Sequence, residues 1–223
     1  VLDEIDLPLG IVTSINGSVR YVGEVTGMAS HAGTTPMGSR RDAAAAVAEL
    51  ILYVERRAGA VPDVVGKGLE PAAVTVGTVG MLEVPAGSIN VVPGRCKFSL
   101  DLRATTNTAR DALDADVRAE LALICERRGL HWRLTQTESA AAAPSDPRWQ
   151  QRWEAVVAAF GLPLHRMPSG AGHDAMKLHE AMPQAMLFLR GANAGISHNP
   201  LESITNDDAE LCVQAFQNLL EQL

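Results

Sequence analysis

The chain has 223 residues, 47% hydrophobic and 20% charged, which fits one large globular domain or two small ones. Its formal charge of −7 and its short, scattered basic runs argue against nucleic acid or an anionic membrane surface as main partner. No apolar run approaches a membrane span and no signal peptide is evident.

The opening VLDEIDLPLG lacks an initiator Met and leads at once into an apolar strand, as the interior of a longer polypeptide would. GIVTSI (Gly10–Ile15) and RYVGEVTG (Arg20–Gly27) predict strands joined by a turn at NGS. A helix is expected from Ser39, with Ser39 and Asp42 as a capping box and Val47, Leu50, Ile51 and Val54 at helical spacing. Gly59 and Pro62 should end it. AAVTVGTVGM (Ala72–Met81) reads as a strand, and Cys96–Arg103 alternates cleanly. Cys96, Phe98, Leu100 and Leu102 share one face there, and Lys97, Ser99, Asp101 and Arg103 the other. Leu113, Val117, Leu121, Ile124 and Cys125 form the stripe of a second helix ending at Gly129, and HWRLTQTE follows as a strand.

Arg20–Glu138 therefore reads β-α-β-β-α-β, an antiparallel sheet with both helices on one face and the other face open for partners or substrate. SAAAAPSDP (Ser139–Pro147) is the expected domain boundary, small, flexible and proline-bearing. Beyond it come a helix, a glycine-rich stretch, a short helix, a buried strand QAMLFLRG and the loop ANAGISHNPLESI. Thr205 and Asp208 are expected to cap the last helix, with a stripe of Cys212, Phe216, Leu219 and Leu220.

Several residues carry the chemistry such a chain could perform. His198 follows a strand and has Glu202 four residues on; it is either a metal ligand whose tautomer Glu202 fixes or a loop histidine bonded to water. His173 sits in SGAGHDAM, where a turn can expose backbone N–H groups to an anion, or Asp174 can cap the helix that follows. Arg103 is a solvated sheet residue or a bidentate carboxylate receptor. Asn90 could add a neutral donor, although a hairpin through Pro93-Gly94 would set it near Phe98. Cys96, Cys125 and Cys212 are odd in number and outside any C-x-x-C pattern, as buried reduced thiols of a cytoplasmic protein would be. One plausible metal histidine does not make a catalytic zinc site, and H-E-x-x-H, G-x-S-x-G and P-loop motifs are missing.

Taken in order, SHAGTTPM with RRDAA, SINVVPG, LDLR, SGAGHDAM and ISHNPLE resemble the amidase branch of the dinuclear metallohydrolases related to aminoacylases and bacterial carboxypeptidases. That branch contains N-carbamoyl-L-amino acid hydrolases, β-ureidopropionase of the yeast type and allantoate amidohydrolases. The resemblance implies an α/β catalytic domain interrupted by an α+β lid, a two-layer βαββαβ open-faced sandwich that forms the homodimer. Residues 1–17 would lead into the lid, 18–138 would be the lid, and 139–223 the returning C-terminal part of the catalytic domain.

By motif match, His31 would polarise the scissile carbonyl in the partner subunit's active site. Asn90 and Arg103 would grip the substrate carboxylate, Gly172 and His173 would line the pocket, and His198 would be a metal ligand. The full enzyme would hold two divalent metals (Zn, Mn, Ni or Co) and attack a carbamoyl or ureido carbon with a metal-bridging hydroxide. The other metal ligands of the family precede the lid and have no counterpart here, so this chain would supply at most one. The implied partners are a small carboxylate substrate and a second copy. The rivals are a non-catalytic dimerisation module and a peptidase or aminoacylase of the same clan.

Overall fold

The computed structural model describes residues 1–60 and 73–223; the expected helix stop at Pro62 and strand start at Ala72 lie outside the described residues. Two compact units emerge, Val1–Ile15 with Ala143–Leu223, and Asn16–Ala142. The chain begins in the first with β1 (Leu9–Ile15). It then builds the second from β2 (Gly17–Thr26), β3 (Ser30–His31), α1 (Ala43–Gly59), β4 (Thr75–Thr78), β5 (Leu82–Glu83), β6 (Val91–Val92), β7 (Arg95–Ala104), α2 (Asn107–Arg128) and β8 (His131–Ala140). It returns with β9 (Ala143–Pro144), α3 (Pro147–Ala159), β10 (Arg166–Ser169), α4 (Ala175–Leu178), β11 (Leu187–Leu189) and α5 (Asn206–Glu221).

In the unit 16–142 the strands run β4-β7-β2-β8, all antiparallel, with β5 also paired to β7. The alternation read in β7 is the one observed, Cys96, Phe98, Leu100 and Leu102 being buried and their neighbours half-buried. Those side chains meet Val47 and Leu50 of α1 and Leu113 and Leu121 of α2 in one core, so both helices cover the same face. The Thr106 side chain caps α2 by accepting from Ala109 N–H at 3.2 Å, and Gly129, at φ 63°, stops it in the left-handed conformation.

Two local expectations fail in this unit. The NGS segment is no hairpin turn: Gly17 and Ser18 already belong to β2, which pairs with β7 and β8, whereas β1 pairs with β9, β10 and β11. The helix starts at Ala43 rather than Ser39, because Asp42 takes the cap, accepting from Ala45 N–H at 3.0 Å. Ser39 instead closes a short 3₁₀ turn, Met37–Ser39.

In the other unit β1 is the central strand, parallel to β10 and antiparallel to β11 and β9. Leu9 and Ile11 of β1 pack against Trp153, Val156 and Val157 of α3 and Ala215 and Leu219 of α5. The 139–147 segment is built rather than loose: it ends β8, forms β9, and places Asp146 as the cap of α3, accepting from Arg148 and Trp149 N–H. β11 is a half-buried three-residue strand, where a buried strand was expected over QAMLFLRG. The stripe of α5 is also rotated from its expected position. Ala215 and Leu219 face the core, while Phe216 and Leu220 are each 54% exposed. Buried Asp208 lies on the same inward face, where Arg190 holds its carboxylate through Nε at 3.1 Å and Nη2 at 3.0 Å.

Candidate functional site

His31 stands at the end of β3, a two-residue strand paired antiparallel to β6 with His31 opposite Val91. The next residue continues the contact, Ala32 N–H donating to Asn90 C=O at 2.8 Å. This pairing sets the backbone of Asn90 next to that of His31, one residue from the register partner Val91. It also replaces the hairpin through Pro93-Gly94, because β6 bonds to β3 and not to β7. Asn90 Oδ1 accepts from Ser88 Oγ at 2.9 Å, and the side-chain NH2 of Asn90 is a donor. The His31 ring is exposed, and its Nδ1 accepts from Gly33 N–H at 3.0 Å. A neutral imidazole with an accepting Nδ1 carries its proton on Nε2, so His31 presents an N–H donor.

One residue of this platform escaped the sequence reading. Half-buried Arg40 donates from Nη2 to Ala32 C=O at 2.6 Å and from Nε to Thr35 C=O at 3.2 Å, gripping the turn that follows His31. In the sequence it stands as the first residue of RRDAA, a motif that carries the resemblance but does not reveal the contact.

Arg103 lies on the sheet face that α1 and α2 leave uncovered, opposite Ser18 of β2 and Val76 of β4. Both oxygens of Asp101 engage it, Oδ1 on Nε at 2.9 Å and Oδ2 on Nη2 at 2.7 Å. Arg20 joins through Nε to Asp101 at 3.0 Å and through Nη1 to Glu138 at 2.5 Å, making an alternating row of charges across β7, β2 and β8. The hydrogen bond from Arg103 to Asp101, more than burial opposes it, holds the guanidinium pKa above its usual value. Arg103 is thus locked in one orientation by its own strand, and no strand pairing links it to Asn90.

In the other unit, His173 and His198 follow strands that run in opposite directions. Ser169 at the end of β10 pairs with Ile15, and Leu189 at the end of β11 pairs with Leu9, so the two loops leave from opposite ends of β1. The His173 ring lies 5.7 Å from that of Phe188. Buried Ser169 donates its one hydroxyl proton to Ala171 C=O at 2.9 Å, so His173 Nε2, at 2.9 Å, is the donor to Ser169 Oγ. Asp174 makes no side-chain cap contact with α4, which removes capping as its role. A Cβ at Gly172 would meet only Met176 Sδ, at 3.6 Å, so packing does not demand a glycine there.

His198 is exposed with φ 56°, and Glu202 Oε2 accepts from its backbone N–H at 2.9 Å rather than from its ring. The expected carboxylate–imidazole pair is therefore not made, because the tight turn spends that carboxylate on the main chain. Among the described residues no group of three or more His, Cys, Asp and Glu is placed to hold a metal ion, and no helix is long and apolar enough to cross a membrane.

Comparison with known proteins adds to this geometry. The family model described as Peptidase family M20/M25/M40 matches residues 17–222. An N-carbamoyl-L-amino acid amidohydrolase of Geobacillus stearothermophilus is 34% identical over 223 residues, covering 100% of this chain and 52% of that protein. An allantoate deiminase of Arabidopsis thaliana is 32% identical, covering 99% of this chain and 45% of its own length. Among solved structures, a hydantoinase/carbamoylase family amidase of Burkholderia multivorans superposes with a TM-score of 0.89 at 31% identity, covering 98% of this chain and 51% of that one. The chain thus spans about half the length of the relatives it matches.

Proposed function

The chain belongs to peptidase family M20/M25/M40, and from that premise we propose that it is the lid and C-terminal portion of an amidohydrolase cleaving a carbamoyl or ureido C–N bond. Its relatives bear the names of carbamoyl-amino-acid and allantoate hydrolases, which supports that bond over a peptide. His31 donates from Nε2 to the carbonyl oxygen of the scissile group and stabilises the charge that develops there. Asn90 donates from its side-chain amide, and Arg103, held by Asp101, pairs with the substrate carboxylate. Gly172 and His173 line the pocket. A second copy of the chain brings His31 to the reacting group through the lid.

The family is generally dependent on two metal ions. The described residues do not fit such a centre: His198 stands without two further side-chain ligands, and Glu202 is engaged by the main chain. His198 is then one ligand of a set whose other members belong to sequence outside this chain.

What supports the reading most is the Gly33 N–H on His31 Nδ1, since it makes the exposed nitrogen a donor rather than an acceptor. The test is His31→Ala in the polypeptide that carries the metal centre, followed by ammonia release from N-carbamoyl-L-amino acids and allantoate. The variant should lose about 10²–10³-fold in kcat with KM and bound metal unchanged. Loss of metal would move His31 to the metal site, and an unchanged kcat would refute the donor role. Arg103→Ala should raise KM for carboxylate substrates far more than for amide-capped analogues; equal effects would remove it as receptor.

A further inference from the structure

We propose that Arg40 is the positioning residue that selects the tautomer of His31. The contact runs through a single peptide unit. The carbonyl of Ala32 accepts from Arg40 Nη2 at 2.6 Å, and the N–H of the same Ala32–Gly33 peptide donates to His31 Nδ1 at 3.0 Å. A trans peptide is planar, with its C=O and N–H pointing in opposite directions, so holding the oxygen aims the hydrogen. Arg40 Nε reaches Thr35 C=O at 3.2 Å, and the planar fork therefore spans two carbonyls of one turn. The turn is closed from the other sides as well, by Thr35 N–H on His31 C=O at 3.1 Å and Ala32 N–H on Asn90 C=O at 2.8 Å.

With the guanidinium gone, the Ala32–Gly33 plane can rotate and turn its oxygen towards Nδ1. An oxygen there favours the Nδ1–H tautomer, which converts Nε2 from donor to acceptor. The positive charge on the carbonyl also polarises the peptide and strengthens its N–H as a donor. Arg40 touches no substrate in this scheme. Its consequence for the reaction rests on the reading of His31 as a carbonyl-polarising donor, but the tautomer itself does not.

The experiment is ¹⁵N NMR of the imidazoles in the 223-residue chain, at about pH 9 where a histidine ring is neutral. His31→Gln identifies the His31 signals by their loss. The unsubstituted protein should show His31 with an unprotonated Nδ1 and a protonated Nε2, and Arg40→Ala should pull the two ring shifts together as both tautomers become populated. Arg40→Lys, a point charge unable to span both carbonyls, should lie between. His173, whose Nε2 is set by Ser169, should keep its pattern throughout.

An Arg40→Ala protein with His31 shifts like those of the unsubstituted chain would overturn the inference, as would an Nδ1–H ring before any substitution. Should Arg40→Ala unfold, Arg40→Lys decides: converging shifts support the role and an unmoved pattern ends it. A moved tautomer together with a His31→Ala enzyme of normal kcat would instead leave Arg40 as proposed and refute the catalytic reading of His31.

Discussion

Cys125 sits at the inner edge of α2, and burial pushes its thiol pKa up to about 11, with Arg128 opposing weakly. Burial raises the thiols of Cys96 and Cys212 as well. The thiolate is the reacting species, so a raised pKa keeps all three protonated and unreactive near neutral pH. Native alkylation followed by mass measurement should therefore leave Cys96 and Cys125 unmodified and label the less buried Cys212 first, while guanidinium-unfolded protein should take all three adducts. Labelling of Cys125 at equal rates in native and unfolded protein would contradict the burial account. Cys96 and Cys125 are buried as the sequence led one to expect, because their strand and helix repeats put them on apolar faces, whereas Cys212 is only half-buried. The tautomer of His31 was not legible in the sequence, since it depends on the orientation of one peptide plane held by a residue nine positions away. Glu202 shows the same limit: its spacing from His198 was right for a contact, but spacing does not say whether the ring or the main chain receives it.

At the level of elements, α2 and β7 were read correctly, whereas α5 has its apolar stripe displaced and the two-residue strands were not found. α2 and β7 declare themselves through the 3.6- and two-residue repeats of their buried side chains. β3 and β6, two residues each, have no period to read, yet their pairing sets the backbones of His31 and Asn90 next to each other. β2 contains a further lesson in Gly23, which lies opposite Phe98 in the register. A Cβ there would penetrate the Phe98 ring, and that ring is almost wholly buried. Gly23→Ala should therefore destabilise the protein by about 1–3 kcal/mol through overpacking, despite the better strand propensity of alanine. Gly23→Ala combined with Phe98→Leu should recover part of the loss by emptying the space over the glycine. Urea unfolding of the four proteins measures this directly, and additive losses would show that the ring is not the cause.

At the scale of the whole chain, the central fact is that β1 and β2 are adjacent in sequence but belong to different units. A local reading joins them through NGS because Asn-Gly is a good hairpin signal; the partners that override it, β7, β8, β10 and β11, lie many residues further on. Each unit carries a carboxylate whose ionised form is held by arginine. For Asp101, burial works to raise the pKa, but hydrogen bonds and charge from Arg103 and Arg20 outweigh it and leave the group below its ordinary value. For Asp208, the hydrogen bond from Arg190 leads and outweighs burial, again lowering the pKa. A folded pKa below the unfolded one means that the unfolded chain takes up the proton first. The stabilisation is complete above the unfolded value of about 4 and fades as pH falls through the folded value. Asp101→Asn and Asp208→Asn should each lower stability at neutral pH and flatten its decline below about pH 4, read by urea denaturation across that range. A decline for Asp208→Asn as steep as that of the unsubstituted protein would mean that Arg190 does not hold the carboxylate ionised.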